Sequence, residues 1–454
     1  MLPLRHFSPE LLGVFFAAAL AVALLIKRPG AGLLLLIALT PVETVLRLPF
    51  EYSKAAKLIL TGLTAGVYFL SYAAMPHRPV RYPYLWAQLL FCVSGVTATL
   101  ASVVPLESAL GVLQLLVIFS LCYLIAISPL TIETSATMLR VVAWAAAVVA
   151  PLALLQMFFG YGGYLGSVEQ QEDAVAGIYD FGNGLFRSAS TFNGSNSAAA
   201  FFGGSFVVAL LHSRVYAETR RQYSLLAALL GFALISTFSR GAFLGTFAAV
   251  CLLFPARRPF VKWSVVALAL TAGSAFVLFP PASLSFIIRP GQGTLSRLSA
   301  WREAFSIIRD QWFTGIGIYG FKPYVELNFP DPNVSRQPHN GLLKAIVEQG
   351  ILGGMGYLAM AFAFATTCYQ SLKREAGGTP RWFVMASIAG VGTCFFLQEL
   401  FDAGFVAGGS SLAVLLAVLL GVQCRHLHLR PEMAAARRRV PVLSLASRAR
   451  AARL

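Results

Sequence analysis

Runs of about 17 to 22 apolar residues recur along almost the whole of this chain, and a run of that length is what an α-helix needs to cross the hydrocarbon of a bilayer. Backbone N–H and C=O groups find no water there, so runs this long and continuous read as helices. Candidate spans fall at 10–26, 31–47, 57–74, 85–104, 107–127, 139–160, 197–213, 222–238, 241–256, 262–282, 340–370, 382–400 and 405–422. Thirteen spans are counted this way. Twelve fit nearly as well, because segment 41–57 carries Glu43, Arg47, Glu51, Lys54 and Lys57 and leaves one neighbour re-entrant or interfacial. The expected fold is all-α: a polytopic helix bundle with one transmembrane domain over 1–424 and a basic tail over 425–454.

Composition excludes the common alternatives. With 57% hydrophobic and 12% charged residues, the apolar runs belong in lipid rather than in a water-facing domain. The first run ends in Lys27, Arg28 and Pro29 instead of a small-residue cleavage site, so no removable leader is expected. Six cysteines all lie inside or at the ends of apolar runs, where they act as small hydrophobes. Neither a disulfide framework nor a metal cluster is read from them.

A net charge of +16 would suggest nucleic acid in a soluble protein. Its distribution points to a membrane surface instead. Arg425, Arg430, Arg437, Arg438, Arg439, Arg448, Arg450 and Arg453 face a single acid, Glu432, after the last span. Such a stretch is drawn to anionic cytoplasmic lipid and resists translocation. Going back two spans at a time meets Lys373, Arg374 and Arg381, then Arg257, Arg258 and Lys262, then Arg214, Arg220 and Arg221. These clusters are therefore expected inside, which leaves 161–196, 239–240, 284–338 and 401–404 outside. Segment 161–196, with Glu169, Glu172, Asp173 and Asp180 against one arginine, agrees.

Three stretches then deliver a cation or an imidazole to one outer face: Arg187 in "FRSASTFNGSNSAAA", Arg240 in "STFSRGAFLG" and His339 in "QPHNGLLKAIVEQG". Arginine near hydrocarbon is costly and marks a polar cavity or a partner, and its planar fork suits phosphate oxygens. Arg240 also admits a plain reading, pairing with Glu399 or Asp402 or reaching to the interface. Arg187 equally fits a solvated loop. Pro338 suits a first helical position, which would put His339 in the first turn, where the helix dipole favours neutral imidazole. A loop hydrogen bond is the alternative role for that ring. Glu348 lies about 13 Å deeper on an unbroken helix and reads as a buried structural acid.

Within the outer loop, Leu295, Leu298, Trp301, Phe305, Ile308 and Trp312 recur at three and four residues, with Arg297, Arg302 and Arg309 set elsewhere. The pattern predicts a helix that lies on the membrane surface, caps a cavity or packs on the bundle. Arg289, Arg297 or Arg302 would lie within reach of a substrate phosphate.

The order R-S-A-S-T-F-N-G-S-N-S-A, S-R-G-A, G-I-G-I-Y-G-F and P-H-N-G-L-L-K-A-I-V-E-Q-G-I-L-G resembles the bacterial O-antigen ligase and O-antigen polymerase superfamily over roughly residues 140–400. Two departures stand out: Ser190 occupies a position where glycine is common, and "NGSN" replaces an N-P-N form. The resemblance implies a GT-C-like bundle and an inner-membrane glycosyltransferase with its active site on the periplasmic face, using neither metal nor cofactor. It implies an undecaprenyl-pyrophosphate-linked glycan as donor and a sugar hydroxyl, on lipid A-core or a growing polysaccharide, as acceptor. Membrane lipids would be its surroundings and nucleic acid no partner. Arg187 and Arg240 correspond to pyrophosphate-holding arginines and His339 to the acceptor-activating histidine, with Arg289, Arg297 and Arg302 as secondary phosphate contacts. Two rival classes remain: a lipid-linked glycan transporter, and a peptidoglycan-type polymerase using an outer-loop acid.

Overall fold

The computed structural model describes residues 29–41, 50–72, 81–159, 186–192, 194–253, 292–329, 337–375, 377–402 and 410–427. The expected spans 10–26 and 262–282, Arg289, the acids of 161–185, Arg257, Arg258, Lys262 and the tail from residue 428 lie outside them.

Among the described residues the chain forms thirteen helices and no strand. In chain order these are α1 (Pro29–Ala38), α2 (Phe50–Tyr72), α3 (Leu85–Leu100), α4 (Pro105–Ile127), α5 (Ile132–Phe159), α6 (Ser195–Val215) and α7 (Arg220–Ser236). They continue with α8 (Arg240–Leu253), α9 (Gln292–Gln311), α10 (Phe321–Asn328), α11 (Gly341–Arg374), α12 (Pro380–Gln398) and α13 (Ser411–Leu427). Five of them, α4, α5, α6, α11 and α12, are long and apolar enough to cross a membrane, and four shorter apolar helices accompany them. This is an all-α, multi-pass membrane protein.

The best-buried helices are the ones richest in small residues. Along α6, Ala198, Ala199, Ala200, Gly203 and Gly204 let neighbouring backbones approach, and α6 packs on α5, α7, α8 and α12. In lipid, where apolar side chains gain little from leaving the solvent, such close contact holds helices together. The peripheral helices keep an apolar outer stripe instead. Ile351, Met355, Leu358 and Phe362 of α11 are exposed at helical spacing.

α11 departs from the expected single span. Gly350 has φ +67° and ψ −169°, so the helix is two: Gly341–Gln349 and a longer one from residue 351. The break frees backbone groups, and the segment after α9 takes them up. Ile316 and Gly317 donate N–H to the carbonyls of Val347 and Glu348, and Ile351 donates to Trp312. A side chain at Gly350 would meet the Phe313 carbonyl, so both the φ and the close approach require glycine. The short half-helix, α9, α10 and Ile316 form a small core of their own around Ala300, Ala304, Ile307, Phe321, Leu343 and Val347.

The described members of the basic clusters around Arg214, Arg381 and Arg425 collect at one end of the bundle. Arg381 pairs with Glu375 and donates to the His426 carbonyl, His212 and Tyr216 pack on Phe383, and Arg140 lies over Tyr216. α11 and α12 run from that end to the opposite one, where Gly341 and Gln398 stand.

Candidate functional site

Arg187 sits in a segment stitched between α5 and α7. Phe186 N–H donates to Met157, Ser188 N–H to Ser236, and the Gln156 side chain accepts from the N–H groups of Ala189 and Ser190. The guanidinium then reaches the turn after α7: Nε donates to the Thr237 carbonyl at 2.9 Å and Nη2 to Asn196 Oδ1 at 2.7 Å. Asn196 Oδ1 also accepts from Ser239 Oγ at 2.9 Å. One amide thus ties Arg187 to the residue before Arg240.

Arg240 opens α8 with its side chain exposed. It forms no hydrogen bond or ion pair with any described residue, so the plain alternative of pairing with Glu399 or Asp402 is not what the structure has. Arg297 of α9 lies near enough to repel its charge. Gly241 brings this corner against the end of α12, since a Cβ there would stand 2.6 Å from Gln398 Oε1 and 3.0 Å from Phe401.

His339 docks on the same end of α12. Its Nδ1 is 3.3 Å from Asp402 Oδ1. Gly341 N–H donates to the Glu399 carbonyl at 2.7 Å, and Asn340 Nδ2 donates to the Leu400 carbonyl at 3.1 Å. A side chain at Gly341 would collide with the Glu399 carboxylate. The glycines of S-R-G-A and H-N-G therefore share one reason, the close approach of two chain segments to residues 398–401.

The helix start differs from the expectation. Asn340, not a residue ahead of Pro338, is the N-cap, its side chain accepting from Leu343 N–H at 3.0 Å. His339 precedes the cap with φ +45° and so stands outside the first turn. Its orienting partner is a carboxylate rather than the helix dipole. An ionised carboxylate only accepts, so Nδ1 is the donor in this contact.

Arg297 and Arg302 part company around α9. Trp301, one turn after Arg297, donates from Nε1 to the Pro338 carbonyl at 2.8 Å. Arg302 is exposed, about 140° around the helix from Arg297. Glu348 is buried and faces Lys344 and the backbone N–H groups of Tyr319 and Phe321. It holds the G-I-G-I-Y-G-F turn. Burial, and then the Glu348 carboxylate, keep the Tyr319 phenol above its ordinary range.

The non-glycine residues with positive φ among the described residues are Ser190, Phe238, Tyr319 and His339. Ser190, Tyr319 and His339 lie in three of the four quoted motifs and Phe238 directly precedes the fourth, S-R-G-A; such strain persists only where the surroundings enforce it. For Ser190 this explains why glycine suits that position. Here Gln156 and a bond from Ser190 Oγ to the Val149 carbonyl hold it.

Sequence reasoning placed Asp402 beside Arg240 and missed its pairing with His339, for the 63 intervening residues give no local signal. Asn196 was missed as well. Its position nine residues after Arg187, in a polar run opening an apolar helix, was the available clue.

Among known proteins, residues 225–358 match the family model described as O-Antigen ligase. The matched segment runs from α7 into α11 and contains Arg240, Arg297, Arg302 and His339. No curated protein matches the chain.

Proposed function

From its place in the O-antigen ligase and polymerase superfamily, we propose that this chain is an inner-membrane glycosyltransferase that moves a glycan from undecaprenyl pyrophosphate to a sugar hydroxyl on the periplasmic face. The observation that carries the reading is the meeting of three distant stretches at one end of α12. Arg187 and Arg240 are joined there through Asn196, Ser239 and the 237–239 turn, and His339 is fixed beside them by Asp402, Leu400 and Glu399. The basic clusters occupy the opposite end, which suits an outward-facing site.

Pyrophosphate is already a capable leaving group, so the reaction needs charge stabilisation on the departing oxygens more than it needs a general acid. Arg240, exposed and without an anionic partner among the described residues, supplies a guanidinium for those oxygens. Arg187 holds the turn that carries Arg240 and adds positive field. Arg297 contributes a further phosphate contact. Their charge serves where other transferases use a metal.

The acceptor O–H is deprotonated by His339 Nε2 as its oxygen bonds to the anomeric carbon. The bond from that carbon to the pyrophosphate oxygen breaks, and the electron pair leaves with undecaprenyl pyrophosphate. Attack from the opposite face inverts the centre. Asp402 keeps the proton on Nδ1 and steadies the imidazolium that forms.

The test incubates purified protein in lipid with an undecaprenyl-pyrophosphate glycan and, separately, a lipid A-core acceptor or excess donor. A single addition marks a ligase and a ladder marks a polymerase. Absence of transfer to either acceptor, or full activity in His339→Ala, defeats the proposal.

A further inference from the structure

The face of α9 that looks away from the bundle is not a polar one. Opposite the buried Ala300, Ala304 and Ile307, residues Leu298, Arg302, Phe305 and Arg309 fall within an arc of about 60° at 3.6 residues per turn. Trp312 and Phe313 continue it past the helix end. The apolar members are all more than half exposed, Phe305 at 61% and Trp312 at 58%. Arg302 and Arg309 are exposed among them; Glu303 stands about a third of a turn away, and Arg309 Nε meets the neighbouring Asp310 carboxylate at 3.3 Å in an exposed pair that a lipid phosphate would have to displace. The arginines expected apart from the apolar face thus share it. A surface meant for water does not interleave large apolar side chains with cations in this way, whereas a helix lying in a headgroup layer does.

The position of α9 supplies the occupant. The Trp312 carbonyl accepts from Ile351 N–H at 2.9 Å, and Ile351 is the first residue of the outer stripe Ile351, Met355, Leu358 and Phe362. That stripe belongs to a helix long and apolar enough to span. The exposed aromatic end of α9 therefore begins where the lipid-facing surface of α11 stops.

We propose that α9 is seated in the adjoining leaflet of the membrane, with Leu298, Phe305, Trp312 and Phe313 entering the boundary of headgroups and acyl chains. Arg302 and Arg309 bind the phosphates of anionic phospholipids. Because Trp301 and Arg297 face Pro338 and Arg240 from the same helix, the bilayer sets the height of one wall of the site. The seating stands apart from the transfer reaction, and only the identity of the leaflet rests on the orientation proposed above.

The experiment places a photoreactive benzoylphenylalanine at position 305 of the full-length protein, reconstituted in vesicles of phosphatidylethanolamine and phosphatidylglycerol. The same label at position 310 is the control and at position 298 a second reading. Phospholipid adducts are expected from 298 and 305 and several-fold fewer from 310. The double variant R302Q/R309Q should lower the yield at 305 and remove its preference for phosphatidylglycerol over phosphatidylcholine vesicles. Equal lipid adducts from 305 and 310, or adducts from 298 and 305 only to a second copy of the chain, overturn the proposal.

Discussion

The two ends of the helix bundle hold the same kinds of side chain and use them differently. At the basic end, Arg381 is committed to Glu375 and a backbone carbonyl, and His426 Nε2 to Ser135. His212 is stacked between Tyr216 and Tyr223 with ring centroids 4.3 and 3.6 Å away. At the other end, Arg240 is exposed with no anionic partner among the described residues, and His339 is part-exposed with its Nδ1 against Asp402. Arginine and histidine are thus structural at the basic end, where an ion pair, a serine hydroxyl and ring stacking hold them inside the bundle. They become candidates for chemistry at the other end, where Arg240 is exposed and His339 is part-exposed beside a carboxylate.

The sharpest way to break this contrast is His339→Ala. Loss of the general base should slow transfer by about 10²- to 10⁴-fold, with the thermal unfolding midpoint unchanged. His426→Ala should do the reverse, lowering the midpoint while transfer by the folded fraction persists. Equal rate losses in both would erase the distinction between the ends.

Arg240→Ala should cost about 10²- to 10³-fold in turnover, as expected for removing a donor aimed at developing charge. Arg240→Lys should recover part of it, because an ammonium keeps the charge and loses the two-pronged fork. Initial rates with saturating donor decide this. At the opposite end, Arg381→Gln leaves Glu375 largely buried without its partner. It should destabilise by about 2 to 3 kcal/mol, read as a lower midpoint in detergent, with the rate of surviving enzyme unchanged. Gly350→Ala should lower the midpoint by more than Arg381→Gln does, because a collision with the Phe313 carbonyl adds to about 1 to 3 kcal/mol of backbone strain at positive φ. It should shift stability first and donor affinity second, since the break positions the half-helix that begins beside His339.

Much of this arrangement was legible residue by residue. The runs that read as spans became helices wherever the described residues cover them, because twenty apolar residues leave the backbone no other way to satisfy itself in lipid. Counting spans backwards from Arg425 placed Arg214, Arg381 and Arg425 together, and their helices do meet at one end. The details of the 340–370 run were not legible. Nothing in "EQGILGG" says which glycine breaks the helix, since each tolerates the required φ and only contact with residues 312–317 selects Gly350. The amphipathic pattern of α9 predicted the helix but not which side faces the bundle. Periodicity marks an apolar stripe but not what covers it, and the structure buries Ala300, Ala304 and Ile307 while Leu298, Phe305 and Trp312 stay exposed.

The amino-acid sequence alone determined that this chain is a helical membrane bundle, because that follows from local hydropathy, and its cationic motifs resemble one family. Only the tertiary structure decided that Asp402 orients His339, that Asn196 ties Arg187 to the turn before Arg240, and that Gly241 and Gly341 both pack on residues 398–401. Such pairings join residues tens to hundreds of positions apart, and they arise from how small residues let helices close on one another, which no local pattern records.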